Sequence, residues 1–175
     1  MTLEILQYPH PILAAKAEPI PAVTPEIREL AAAMAEAMYA NQGVGLAAPQ
    51  VGRAIRLVVI DLSGPEKREE LLTLVNPAVV AASGEQEDEE GCLSVPNYRA
   101  NVKRAAKVTV EATDLDGKPM RIEADELFAV CLQHEIEHLD GVLFIDHISH
   151  LKRAMYDKRV KRWAKTKKTR DSESS

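Results

Sequence analysis

Aromatic residues are scarce in this chain: two Phe, four Tyr and one Trp make up 4% of its 175 residues. That excludes a core built on stacked rings, so Leu, Val, Ile and Ala must fill it. Cysteine is nearly absent as well. Cys92 and Cys131 are too few for a disulfide framework, and in a chain of intracellular cast they read as free thiols or a metal ligand. No apolar run approaches the roughly 20 residues that a membrane helix needs. The opening Met1-Thr2-Leu3-Glu4-Ile5 has no basic stretch followed by an apolar one, so no secretory signal is expected. Neither an internal repeat nor an interdomain linker is visible. The expectation is one soluble, cytoplasmic domain over residues 1–165 and a disordered polar tail at 166–175.

What is present is a 46% hydrophobic fraction, enough for one ordinary core, and an uneven charge. Residues 1–151 carry 12 Lys and Arg against 24 Asp and Glu, whereas residues 152–175 carry ten against three. An acidic body with a basic end points to the end as the part that approaches a polyanion; a solvated helix face accounts for the same pattern.

The spacing of Ile27, Leu30, Met34 and Met38, with Thr24 as cap and Pro25 in first position, predicts a helix over 25–41. Residues 55–60 form a β-branched run that reads as a buried strand. Short strands are expected at 71–76 and 78–82, separated by Pro77, and the acidic stretch 83–91 reads as an exposed loop. Residues 107–113 and 119–123, joined by a turn at 114–118, read as a hairpin. Helices are expected over 125–140 and 149–165, the second with Leu151, Met155, Val160 and Trp163 as its apolar stripe. Strands first, with helices around them, point to an α+β fold.

The chemistry concentrates in His134-Glu135-Ile136-Glu137-His138, an H-E-x-x-H motif. Residues four apart share a helical face, so both imidazoles reach one ion. Glu135, turned about 100° from His134, is kept off the ion but beside a water on it. The same five letters also occur by chance on surface helices. Here Leu127, Val130, Cys131 and Leu139 make the helix more apolar than a surface helix, and buried imidazoles beside a buried carboxylate need compensation. Two histidines leave a tetrahedral site incomplete. Cys92, in Glu90-Gly91-Cys92-Leu93-Ser94, is the strongest third donor. Cys131 reads as wall, His147 and His150 as surface residues, and His10 as a loop residue. A third segment, Gly43-Val44-Gly45-Leu46-Ala47-Ala48-Pro49-Gln50, brings backbone close to a ligand and offers the Gln50 amide to a developing oxyanion. It lacks the Gly-Lys-Ser/Thr ending of a phosphate loop.

Together these segments resemble the peptide deformylase family, whose marks are G-x-G-L-A-A-x-Q, E-G-C-L-S and Q-H-E-x-x-H-L-x-G in that order. Here they stand at 43–50, 90–94 and 133–141 with every fixed position matched, and the likeness covers roughly residues 3 to 163. It implies small, mostly antiparallel sheets around a central H-E-x-x-H helix, with a C-terminal helix at 149–165. It also implies removal of the formyl group from N-terminal formyl-methionine of nascent polypeptides. Cys92, His134 and His138 are then the ligands of one Fe²⁺, with Zn²⁺ or Ni²⁺ as substitutes, and Glu135 is the general base and acid. The Gln50 side chain and the Leu93 backbone N–H meet the oxyanion, and Val44 and Gly45 touch the peptide. Relatives of this kind can dock their basic C-terminal helix on the ribosome. An H-E-x-x-H zinc endopeptidase and a ribosome-binding domain with a structural metal are the rival readings.

Overall fold

The computed structural model describes residues 2–173. Helix α1 (Pro25–Ala40) begins where the Thr24 hydroxyl accepts from the Ile27 N–H at 3.3 Å, and it ends at Asn41. Strand β1 (Gly45–Ala47), a short 3-10 turn, strand β2 (Leu57–Ile60) and a single helical turn α2 (Gly64–Lys67) follow. Then come β3 (Leu72–Ser83), β4 (Gln86–Cys92), β5 (Val95–Arg104), β6 (Lys107–Thr113) and β7 (Pro119–Asp125). Helix α3 (Glu126–Leu139) leaves β7 directly, and α4 (His150–Glu173) closes the described chain. The named strands pair antiparallel throughout, as a five-stranded sheet in the order β1-β2-β3-β6-β7 and a separate β4-β5 ribbon. The α+β expectation holds.

Strand β2 explains how the layers stack. All four of its residues are buried. Leu57 and Val59 pack with Leu30, Met34 and Met38 of α1, while Val58 and Ile60 pack with Ala129, Leu132 and Ile136 of α3. A continuous apolar run is the signature of a strand covered on both faces. Each fully buried Leu or Ile here contributes about 1.5–3 kcal/mol. Because β1 pairs with β2 through Leu46↔Val59 and Ala47↔Val58, the same sandwich presses β1 against α3.

Three expectations are corrected. The acidic stretch 83–91 is largely strand β4, paired with β5, which had no sequence signal of its own. Its acids are balanced across the ribbon by basic partners: Glu87 faces Lys103, and the Arg99 Nε donates to Glu89 at 2.7 Å. Residues 71–76 and 78–82 are one strand. Pro77 falls in a bulge where Asn76 adopts φ 52°, and beyond it β3 keeps only β6 as partner, so the missing N–H costs no ladder bond. Finally, α4 runs to Glu173, so 166–173 is helical rather than disordered, while Ser174 and Ser175 lie outside the described residues. Its expected stripe is largely solvent-facing, with Leu151 72% and Met155 59% exposed. Tyr156 is the residue buried instead, packed with Tyr98 and Phe144 in a cluster under the helix.

Asp61, fully buried just past β2, ties the sheet to α1. Its carboxylate accepts from the Tyr39 hydroxyl at 2.6 Å and from the Ser63 hydroxyl and N–H at 2.6 and 2.9 Å. Its own N–H donates to the Val44 carbonyl at 2.8 Å, which fixes the entry to β1. Burial alone would raise this carboxyl, but the hydrogen bonds from Ser63 and Tyr39 outweigh it and hold it below the ordinary carboxylate range. Burial, then the Asp61 carboxylate, pushes Tyr39 up to about 12, so it remains a donor. A depressed carboxyl stabilises the fold fully above its unfolded pKa of about 3.9, and that contribution is lost as pH falls through the folded value. Asp61→Asn is therefore expected to unfold at a lower denaturant concentration than wild type at pH 7, with the gap closing below about pH 4. An equal gap at pH 3 and pH 7 would refute the assignment.

Candidate active site

Helix α3 carries the H-E-x-x-H residues on its inner face, where His134, Glu135 and His138 are 9%, 4% and 1% exposed. The apolar stripe Ala129, Leu132, Ile136 and Leu139 puts them there, because seating it on the sheet turns the adjoining positions inward. Cys92 arrives from the other side, at the end of β4, where the ribbon register shifts between Glu90 and Cys92. The Cys92 sulfur lies 3.4 Å from His138 Nε2, which lies 3.3 Å from His134 Nε2. One ligand atom from each of the three falls within 4.8 Å of the others. A tetrahedron with bonds of about 2.0–2.3 Å has edges of roughly 3.3–3.7 Å, so these three donors fit three corners around one cation. The donor chemistry fits too: one thiol and two imidazoles are a soft set suited to a transition metal.

Behind the donors stands a buried polar chain whose members are distant in the chain. Glu90 accepts from His134 Nδ1 at 2.9 Å. With the proton on Nδ1, Nε2 keeps its lone pair for a metal. Arg104, 3% exposed, donates to the same carboxylate through Nε at 2.7 Å and Nη2 at 2.8 Å, and through Nη1 to Glu137 at 2.9 Å. Burial alone would raise Glu90, but Arg104 and then His134 outweigh it and hold it ionised. His138 Nδ1 has no such partner among the described residues, and burial, the largest cause, drives its pKa well down and keeps it neutral. Glu135 differs again. Burial pushes its carboxyl up to about 7, the range of a group that must both take and give a proton near neutrality. Its Oε1 lies 3.6 Å from His134 Nε2, and its Oε2 has no hydrogen-bond partner among the described residues.

A cleft of about 750 Å³ opens on these groups, lined by Val44, Gly45, Gln50, Cys92, Leu93, Cys131, His134 and Glu135 among others. Gln50, 1% exposed, is oriented by its Oε1, which accepts from the Ala47 N–H at 2.9 Å; its Nε2 donates to Ser94 Oγ at 3.0 Å and lies 3.5 Å from the Cys92 sulfur. Cys131 is cleft wall, not part of the ligand cluster, and burial pushes its thiol up to about 12. His147 pairs with Glu137 at 3.0 Å away from the donors, His150 opens α4, and His10 caps a short 3-10 helix.

A sequence profile of the polypeptide deformylase family matches residues 2–154. The chain belongs to the peptide deformylase family. It is 48% identical over 162 residues to the peptide deformylase of Acidobacterium capsulatum, covering 93% of this chain and 95% of the relative. With peptide deformylase 2 of Nitrosomonas europaea it shares 47% over 163 residues, covering 93% and 87%. The crystal structure of a deformylase from Legionella pneumophila superposes with a TM-score of 0.89 at 42% identity, covering 95% of this chain and 98% of that one. One from Ehrlichia chaffeensis in complex with actinonin gives 0.84 at 37%, covering 92% and 96%. Membership carries the deformylase reaction, hydrolytic removal of the formyl group from nascent polypeptides, and the zinc endopeptidase reading falls away.

Gly45 has a role in this deformylase fold that follows from contact distance. A Cβ placed there would stand 3.0 Å from Glu135 Cγ and Cδ and 3.1 Å from Oε1. These contacts are tighter than a Cβ ordinarily makes, so Gly45→Ala is expected to push the Glu135 carboxylate by a few tenths of an ångström toward the cleft it lines. We expect kcat to fall about tenfold with metal content unchanged. An alanine variant with full kcat would show that Glu135 tolerates the shift.

Proposed function

We propose that Cys92, His134 and His138 hold one divalent cation and that Glu135 is the acid and base of the formyl hydrolysis, acting on the N-formylmethionyl ends of nascent chains. The observation that carries this reading is the pairing of three converging donors with a buried carboxylate oxygen that has no hydrogen-bond partner among the described residues. A cation held there supplies, when bound, a lowered pKa for water and a Lewis acid for the formyl oxygen. Fe²⁺ is the proposed ion, with Zn²⁺ or Ni²⁺ able to use the same donors. Glu135 accepts the proton of the attacking water and passes it to the methionine nitrogen as the C–N bond breaks and formate leaves. The Gln50 Nε2–H and the Leu93 N–H serve the carbonyl oxygen as charge gathers on it, each such donor typically contributing about 10²–10³ in rate. Strand β1 is outermost in its sheet, so one backbone edge has no strand partner, and Val44 and Gly45 are the proposed contacts for an extended peptide.

The decisive experiment combines metal analysis of anaerobically purified protein with formate release from formyl-Met peptides. Glu135→Gln is expected to keep its metal and lose about 10²–10⁴ in kcat. A variant at full rate would remove Glu135 from this role, and backbone cleavage of an unformylated peptide would return the endopeptidase reading.

Among the described residues no helix is long and apolar enough to cross a membrane. We place the activity in the cytoplasm, where formylated chains emerge, and propose ribosomal RNA as the polyanion met by α4. Its ten Lys and Arg support this, as does the exposure of 161–173. Co-sedimentation with ribosomes is expected to weaken steeply with salt and to be lost on reversing Lys161, Arg162, Lys165 and Lys168 to Glu. Unchanged binding in that variant would reject the contact.

A further inference from the structure

Helix α4 reaches the rim of the cleft. In the β4-β5 ribbon, Cys92 pairs with Val95 and Glu90 with Ala100, so residues 96–99 bulge out of the ladder without strand partners of their own. Pro96, Asn97, Tyr98 and Arg99 all line the cleft. Two carbonyls of this stretch accept hydrogen bonds from α4. The Tyr156 hydroxyl donates to the Pro96 carbonyl at 2.9 Å, and one turn later Arg159 Nη2 donates to the Asn97 carbonyl at 3.2 Å. The Tyr156 ring lies 4.9 Å from that of Tyr98, and the Arg159 guanidinium sits 5.3 Å from the Trp163 ring. Asn97 itself has φ 58°, in the left-handed region that asparagine tolerates better than most residues. Tyr156 is the buried anchor of the helix, and Arg159 is half-buried beside it.

We propose that Tyr156 and Arg159 are positioning residues that set the cleft rim for the part of the peptide beyond the formyl-methionine. The inference rests on the deformylase reading above. The reacting groups are Cys92, Gln50, His134, Glu135 and His138; the bulge carries none of them. Its contacts therefore fall to portions of the substrate that do not react, and interactions with such portions set KM more than kcat when they are equal in ground and transition states. The cleft, at about 750 Å³, has far more room than one methionine side chain fills.

The test compares formyl-Met-Ala with formyl-Met-Ala-Ala-Ala on Arg159→Ala, Arg159→Lys and Tyr156→Phe. For the alanine and phenylalanine variants, KM for the longer peptide is expected to rise about three- to tenfold, the scale of one lost hydrogen bond, while KM for the shorter changes less than about twofold. Arg159→Lys should recover part of the loss. Unfolding curves accompany each variant, and if Tyr156→Phe fails to fold, the Arg159 pair decides the matter. Equal changes for both peptides, or none for either, would overturn the proposal, since a helix that only adds stability cannot distinguish peptide length. Wild-type protein that releases no formate from either peptide would instead sink the deformylase reading, a result visible without any variant.

Discussion

Ionisable groups packed side by side out of water govern this structure. His134, His138, Glu135, Glu90 and Arg104 are all buried, and none could be tolerated there alone. The bidentate Arg104–Glu90 pair offsets one charge with another, and breaking a buried pair of this kind typically costs about 3–5 kcal/mol. From that pair the constraint passes in two directions. Glu90 fixes the tautomer of His134, and Arg104 reaches Glu137, which holds His147 nearer the surface. The donors are thus aimed before any ion arrives, and the cost of gathering them is met by the fold.

Delivering such groups to one point requires two separate sheets. The five-stranded sheet clamps β1 against α3 and so sets Gly45 beside Glu135, while the 3-10 turn after β1 carries Gln50. The β4-β5 ribbon supplies Glu90, Cys92 and Arg104. Cys92 occupies the place where the ribbon loses register, so its side chain is not bound to regular strand alternation. Neither sheet would make the site alone, and α3 is the element they share.

Residues whose role is local were readable from the chain. The i, i+4 histidines, the cap at Thr24 and the buried run of β2 all follow from spacing within a few positions; Cys92 and Gln50 stood out by donor chemistry in their own segments, and three short motifs in order carried the family resemblance. Residues defined by distant partners were not readable. Arg104 looks like any strand-end cation until its side chain is seen bonded to Glu90, and the acids of β4 look like a loop until Lys103 faces Glu87 and Arg99 bonds Glu89. Helix α4 misled for a related reason: Leu151 and Met155 have the correct spacing, but the helix is held by Tyr156 and by side chains bonded to distant carbonyls, which no local periodicity records.

From Lys161 to Glu173 the residues of α4 are exposed. At about 1.5 Å per residue this stretch extends roughly 20 Å. Its basic residues therefore sit in solvent apart from the acidic remainder of the chain, so the two signs of charge are held separate within one molecule.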